Sequence, residues 1–98
     1  MRRAARADKN QSDLVSQLRE IGAEVQHLHQ LGGGVPDLLV GYKGRWSLAE
    51  VKNPTLPPSK RQLTPDEREW HEHFAPFAPV FIWETIEDAL RDLQATNG

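Results

Sequence analysis

"GVPDLLVGYKGRWSLAEVKNP", residues 34 to 54, is the stretch on which the fold of this chain turns. It reads as two short apolar strands, Asp37 to Gly41 and Trp46 to Val51, joined by the turn Tyr42-Lys43-Gly44-Arg45, where Gly44 is free to take positive φ. Asp37, Glu50 and Lys52 sit in or beside those strands, and burying a charge without partners is expensive. Strand side chains alternate, so Glu50 and Lys52 share one face and Val51 takes the other. A two-residue turn at Lys43-Gly44 sets Asp37 directly opposite Glu50, with Cβ atoms about 4.5–5.5 Å apart. A three-residue turn slips the register by one and sends Asp37 to the wrong face unless a bulge intervenes.

Two carboxylates opposed at that distance repel unless something cationic sits between them. Hard carboxylate oxygens, a backbone carbonyl and water suit Mg²⁺ or Mn²⁺. Lys52, one step along the same face, is placed to orient or deprotonate a water, or to offset charge building on a phosphate. Each residue alone has a plainer reading. Pro36-Asp37 is an ordinary strand entry, and Glu50-Val51-Lys52 on a solvated edge is a cross-strand ion pair. On paired strands behind a glycine run, the three together favour a site.

The flanks complete an α/β pattern. Leu14, Val15, Leu18 and Ile21 form the stripe of an amphipathic helix over residues 12 to 21, which Gly22 stops. Ala23 to His29 reads as a strand, and Gly32 to Gly34 as loop. Pro54, Pro57 and Pro58 make the stretch after Lys52 a stiff, exposed loop. Thr64-Pro65-Asp66-Glu67 is a helix start, with Thr64 as N-cap and Glu67 closing a capping box. That helix is expected to reach about Phe74 and to bury Trp70 and Phe74. Pro79 to Trp83 forms a further strand, and Ile86, Ala89, Leu90 and Leu93 line the inner face of a last helix. The order is αβββαβα, with strands apolar on both faces as when helices cover both sides of a sheet.

Composition bounds the rest. The 98 residues make one domain, assigned to residues 10–95 behind a flexible basic arm at residues 1–9 that carries Arg2, Arg3 and Arg6. That arm lacks the apolar segment of a secretory signal, and no run is long enough to span a bilayer. The absence of cysteine excludes disulfides and thiol nucleophiles. A net charge of −2 argues against a polyanion binder held by bulk charge, but leaves room for a local basic strip. Lys43, Arg45, Lys60 and Arg61, with Lys52, are the candidates for following a phosphate backbone. His27 and His29 share a strand face on this reading. The spacing of the four histidines does not close a zinc site. The glycine run lacks the spacing of a nucleotide-binding loop. Among the aromatics, Trp70, Phe74, Phe77, Phe81 and Trp83 read mainly as core, with some available to a dimer interface.

Pro36-Asp37, twelve residues, then Glu50-Val51-Lys52 resembles the PD-(D/E)XK nuclease signature. The wider frame, "DKNQSDLVSQLREIGAEVQHL" through "VFIWETIEDAL", is similar to the stand-alone VRR-NUC (virus-type replication-repair nuclease) domains of phages and bacteria, over roughly residues 8 to 93. The resemblance implies an α/β fold with a restriction-endonuclease-like core, in which a mixed sheet is flanked by helices. It implies a Mg²⁺- or Mn²⁺-dependent endonuclease acting on DNA, with four-way junctions or other branched DNA as substrate, working as a homodimer in the cytoplasm of a bacterial cell or infected host. Asp37 and Glu50 would hold the metal, Val51 would lend its backbone carbonyl, and Lys52 would assist the water. Relatives often add an acid from the first helix, for which Gln11 and Asp13 are both candidates. They often carry a glutamine on the later helix, where this chain has Glu67, with Gln62 upstream. The rival reading is a catalytically silent DNA-binding or assembly module on the same fold. RNA as substrate is a third.

Overall fold

The computed structural model describes the backbone of residues 4 to 95 and the side chains of residues 9 to 95. Helix α1 spans Ala4–Glu20 and is followed by strand β1 at Glu24–His27. Strands β2, Leu38–Tyr42, and β3, Arg45–Val51, form the hairpin. Helix α2, Pro65–Phe74, leads to strand β4, Val80–Trp83, and helix α3, Ile86–Ala95, closes the described chain. Two short 3₁₀ turns, His29–Leu31 and Pro58–Lys60, lie in the loops. The strands form one mixed sheet in the order β1-β2-β3-β4, antiparallel across the first two pairs and parallel between β3 and β4. The parallel pair needs a crossover, and α2 supplies it.

The hairpin has the two-residue turn. Lys43 and Gly44 both take positive φ, 50° and 81°, and Leu38 pairs with Ala49 while Tyr42 pairs with Arg45. The register therefore places Asp37, just ahead of β2, across from Glu50. At the other end of the hairpin, Trp46 lays its ring over Gly41, where a Cβ would come within 3.2 Å of it.

The core lies on one face of the sheet. Val25, Leu38, Val40, Ala49 and Trp83 meet Leu14, Val15 and Leu18 of α1 and Ala89 and Leu93 of α3, all buried. Trp83 anchors the centre, fully buried, with its indole N–H donating to Asp92 Oδ2 at 2.9 Å. Two helix ends in this layer carry local caps. At the C-terminus of α1 the Ala23 N–H reaches Leu18 O at 3.0 Å and the Gly22 N–H reaches Arg19 O at 3.1 Å, with Gly22 at φ 96°. At the start of α3 the Asp88 carboxylate accepts the Glu84 and Thr85 N–H groups.

Several expectations change. The first helix begins at Ala4, not at residue 12, so residues 4 to 9 of the expected arm are its opening turns; Met1 to Arg3, with Arg2 and Arg3, lie outside the described residues. β1 stops at His27, because Leu28 turns to φ −118°, ψ −1° and His29 enters a 3₁₀ turn. His27 and His29 thus share no strand face; their rings meet edge to face at 5.9 Å. The second sheet face is not fully covered. No residue of α2 is buried, and Phe74, Phe77, Trp46 and Ile82 are exposed, Phe77 to 77%. Phe74 packs against Trp70, ring centroids 4.1 Å apart and planes tilted by 31°, outside the core.

Candidate functional site

Asp37, Glu50 and Lys52 converge where β2 begins and β3 ends. Proline at position 36 is buried and delivers Asp37 into the strand, where the Asp37 carbonyl accepts the Leu28 N–H at 2.7 Å. Its carboxylate Oδ2 accepts the Val51 N–H at 2.8 Å, which pins Asp37 to β3 beside Glu50. Glu50 is a buried charge-bearing residue on the sheet face opposite the apolar core, its side chain 5% exposed and its Oε1 without a hydrogen-bond partner. Burial first, then the Asp37 and Glu67 charges, push the Glu50 carboxyl up from 4.5 to about 9. Without a cation the Glu50 carboxyl keeps its proton at neutral pH.

Helix α2 forms the facing wall. Lys52 Nζ donates to Glu67 Oε1 at 2.8 Å and lies 3.8 Å from Glu50 Oε2. Glu67 also closes the capping box: its Oε1 accepts the Thr64 N–H at 2.9 Å and its own N–H donates to Thr64 Oγ1 at 3.3 Å. Burial alone would raise the Glu67 carboxyl, but the Lys52 ammonium and the Thr64 N–H outweigh it and hold it below its usual value. Gly34, at φ 84°, lets α2 come this close, because a Cβ there would collide with the carbonyl oxygen of Asp66. The last glycine of the run therefore serves backbone approach by α2. One turn after Glu67, His71 has a buried Nε2 with no partner. Burial first, and then the Lys52 charge against the opposing pull of Glu67, lower its pKa from 6.5.

The supporting candidates separate. From α1 it is Asn10 that reaches the site, its Nδ2 donating to the Lys52 carbonyl at 3.2 Å. Gln11 instead bonds His27 Nδ1 at 3.2 Å, and Asp13 pairs with Lys9 at 3.3 Å on an exposed helix face. Asn10 lies four residues before Leu14 and so continues the buried stripe backwards, a signal visible once the helix is extended past residue 12. Gln62 is exposed in the loop before α2.

The expected basic strip is divided. Lys43 and Arg45 occupy the hairpin turn, and at about 3.3 Å per residue that is on the order of 20 Å from Asp37 and Glu50. Lys43 rests over the Tyr42 ring, its Nζ 5.4 Å from the centroid. Lys60 and Arg61 lie in the loop after Lys52, but Arg61 is bound to Glu84 by contacts of 3.2 and 3.3 Å, so its charge is already answered. Lys60 is exposed.

Half-buried Asp37 and buried Glu50 offer a divalent cation opposed hard oxygen donors, one of them without a partner, and a cation held there would displace the Glu50 proton. Among the described residues no group of three or more His, Asp or Glu is arranged to hold a metal ion. The fit is therefore to an oxygen site of two side chains, a backbone carbonyl and water. No helix among the described residues is long and apolar enough to cross a membrane. Comparisons with protein-family models, with curated proteins and with solved structures return no match.

Proposed function

We propose that this chain is a Mg²⁺- or Mn²⁺-dependent DNA endonuclease of the PD-(D/E)XK type, resembling the stand-alone VRR-NUC domains and acting on branched DNA. The observation that carries the reading is the convergence of Asp37, Glu50 and Lys52 at one end of β2 and β3, with the Glu50 Oε1 buried and unpartnered. A domain of this size gains no stability from a buried carboxylate beside a second one, so the arrangement favours a chemical use.

In this proposal Asp37 and Glu50 hold the cation with the Val51 carbonyl. When bound, the cation supplies Lewis-acid charge to the attacked phosphate and makes water a stronger nucleophile. The chain's own residues do the rest. The Asp37 carboxylate is oriented by the Val51 N–H, and Lys52 brings a fixed positive charge to the phosphate or the water. Asn10 and Glu67 hold Lys52 from its two ends, backbone and ammonium. A homodimer and a preference for junctions belong to the same proposal.

The test is cleavage of a labelled four-way junction and the matching linear duplex with Mg²⁺, Mn²⁺ or EDTA. Metal-dependent cutting of the junction, lost in Asp37→Ala, Glu50→Ala and Lys52→Ala, is the expected result. Cutting that survives all three substitutions would place the activity elsewhere. Tight junction binding with no cutting under any metal would favour the silent module.

A further inference from the structure

We propose that His71 is a positioning residue for Lys52, its Nε2 offering the ammonium a second acceptor on α2 beside Glu67. The inference rests on Lys52 being a working residue of the site described above. Glu67 and His71 are one turn apart on α2 and so share a face. Glu67 Oε1 takes the Lys52 ammonium at 2.8 Å, and the same oxygen takes the Thr64 N–H at 2.9 Å. One carboxylate oxygen thus serves both the helix cap and the lysine.

An ammonium carries three N–H donors, and Glu67 satisfies one of them. Glu50 Oε2, at 3.8 Å, is too far for a hydrogen bond. On the same wall a buried imidazole nitrogen has no partner, a state that polar groups rarely keep. Glu67 and Lys52 are the charged groups that act on that ring, so the unmatched ring nitrogen and the under-used donor belong to one cluster. Burial favours the neutral imidazole, which keeps one ring nitrogen free to accept. Lys52 then has two stations on α2. At Glu67 it is held by the helix cap, and at His71 it is released from that carboxylate while remaining in the site.

Two measurements test this. Imidazole ¹⁵N spectra of the full chain, without metal or DNA, compare the wild type with Lys52→Met and with Lys60→Met as an exposed control. The His71 Nε2 resonance moves in Lys52→Met and not in Lys60→Met; His71 nitrogens unmoved by loss of Lys52 overturn the proposal. In cleavage assays with Mg²⁺, His71→Phe lowers kcat about tenfold or more with KM and Tm little changed, and His71→Gln, which keeps an acceptor, restores most of it. A wild type that cuts and a His71→Phe variant that cuts equally fast overturn it as well. A wild type that cuts no DNA removes the nuclease reading, and the imidazole spectra still decide whether His71 and Lys52 are partners.

Discussion

Glu50 concentrates the energetics of the site in one side chain. With its carboxyl raised from 4.5 to about 9, folding favours the protonated form, whereas the unfolded chain releases the proton near 4.5. The stability tied to that proton is whole below about pH 4.5 and is lost as pH rises towards 9. Glu50→Gln removes the dependence. In EDTA its Tm advantage over the wild type grows from about pH 5 to about pH 8.5, by several degrees, as differential scanning calorimetry would record. Saturating Mg²⁺ reverses the ranking at the higher pH, raising the Tm of the wild type and leaving that of Glu50→Gln where it was. Gly34 offers a second test at this scale. Gly34→Ala combines a left-handed backbone with a collision at Asp66, so a loss of about 2 kcal/mol or more is expected from urea unfolding.

Helix α2 differs from its two neighbours in what holds it. α1 and α3 bury Leu14, Leu18, Ala89 and Leu93 in the common core, whereas α2 has no fully buried residue and is held by the Lys52–Glu67 ion pair to the end of β3 and by its close approach to Gly34 in the loop before β2. Its order should therefore depend on polar contacts. Thr64→Ala removes one cap bond at a cost of about 1 kcal/mol. Glu67→Ala costs more, because it removes the reciprocal cap bond and also strips the Lys52 ammonium of its nearest carboxylate. Amide hydrogen exchange should show α2 opening in Glu67→Ala while α1 and α3 keep their protection. Equal acceleration in all three helices would mean that α2 is part of the cooperative core.

For the molecule as a whole, the uneven covering of the sheet is the main feature. Trp46 and Ile82 on the open face, with Phe74 and Phe77 around the end of α2, leave large apolar side chains exposed on a small domain. The proposed homodimer would cover this area. Trp46→Ser with Phe77→Ser is expected to shift the chain to monomer in sedimentation analysis while leaving urea stability of the monomer nearly unchanged, since neither residue belongs to the core. The same substitutions leaving a dimer intact would place the interface elsewhere.

How much of this was legible beforehand varies by element. The order of strands and helices, the turn at Lys43-Gly44 and the capping box at Thr64 could be read from residues 12 to 93, because each rests on local chemistry: side-chain period, positive φ and side-chain caps. The pairing of Asp37 with Glu50 was legible only as one of two registers, and the two-residue turn observed at Lys43-Gly44 decides it. The start of α1 was not legible, because residues 4 to 9 carry no apolar stripe, and the exposure of Phe74 was not, because the period of a helix gives a face without saying whether anything covers it. Only the tertiary structure could bring Glu67 onto Lys52, choose Asn10 over Gln11 and Asp13, answer Arg61 with Glu84 and leave His71 Nε2 unpartnered. Those contacts join residues far apart in the chain, and their geometry is set by how elements pack, which no local pattern records.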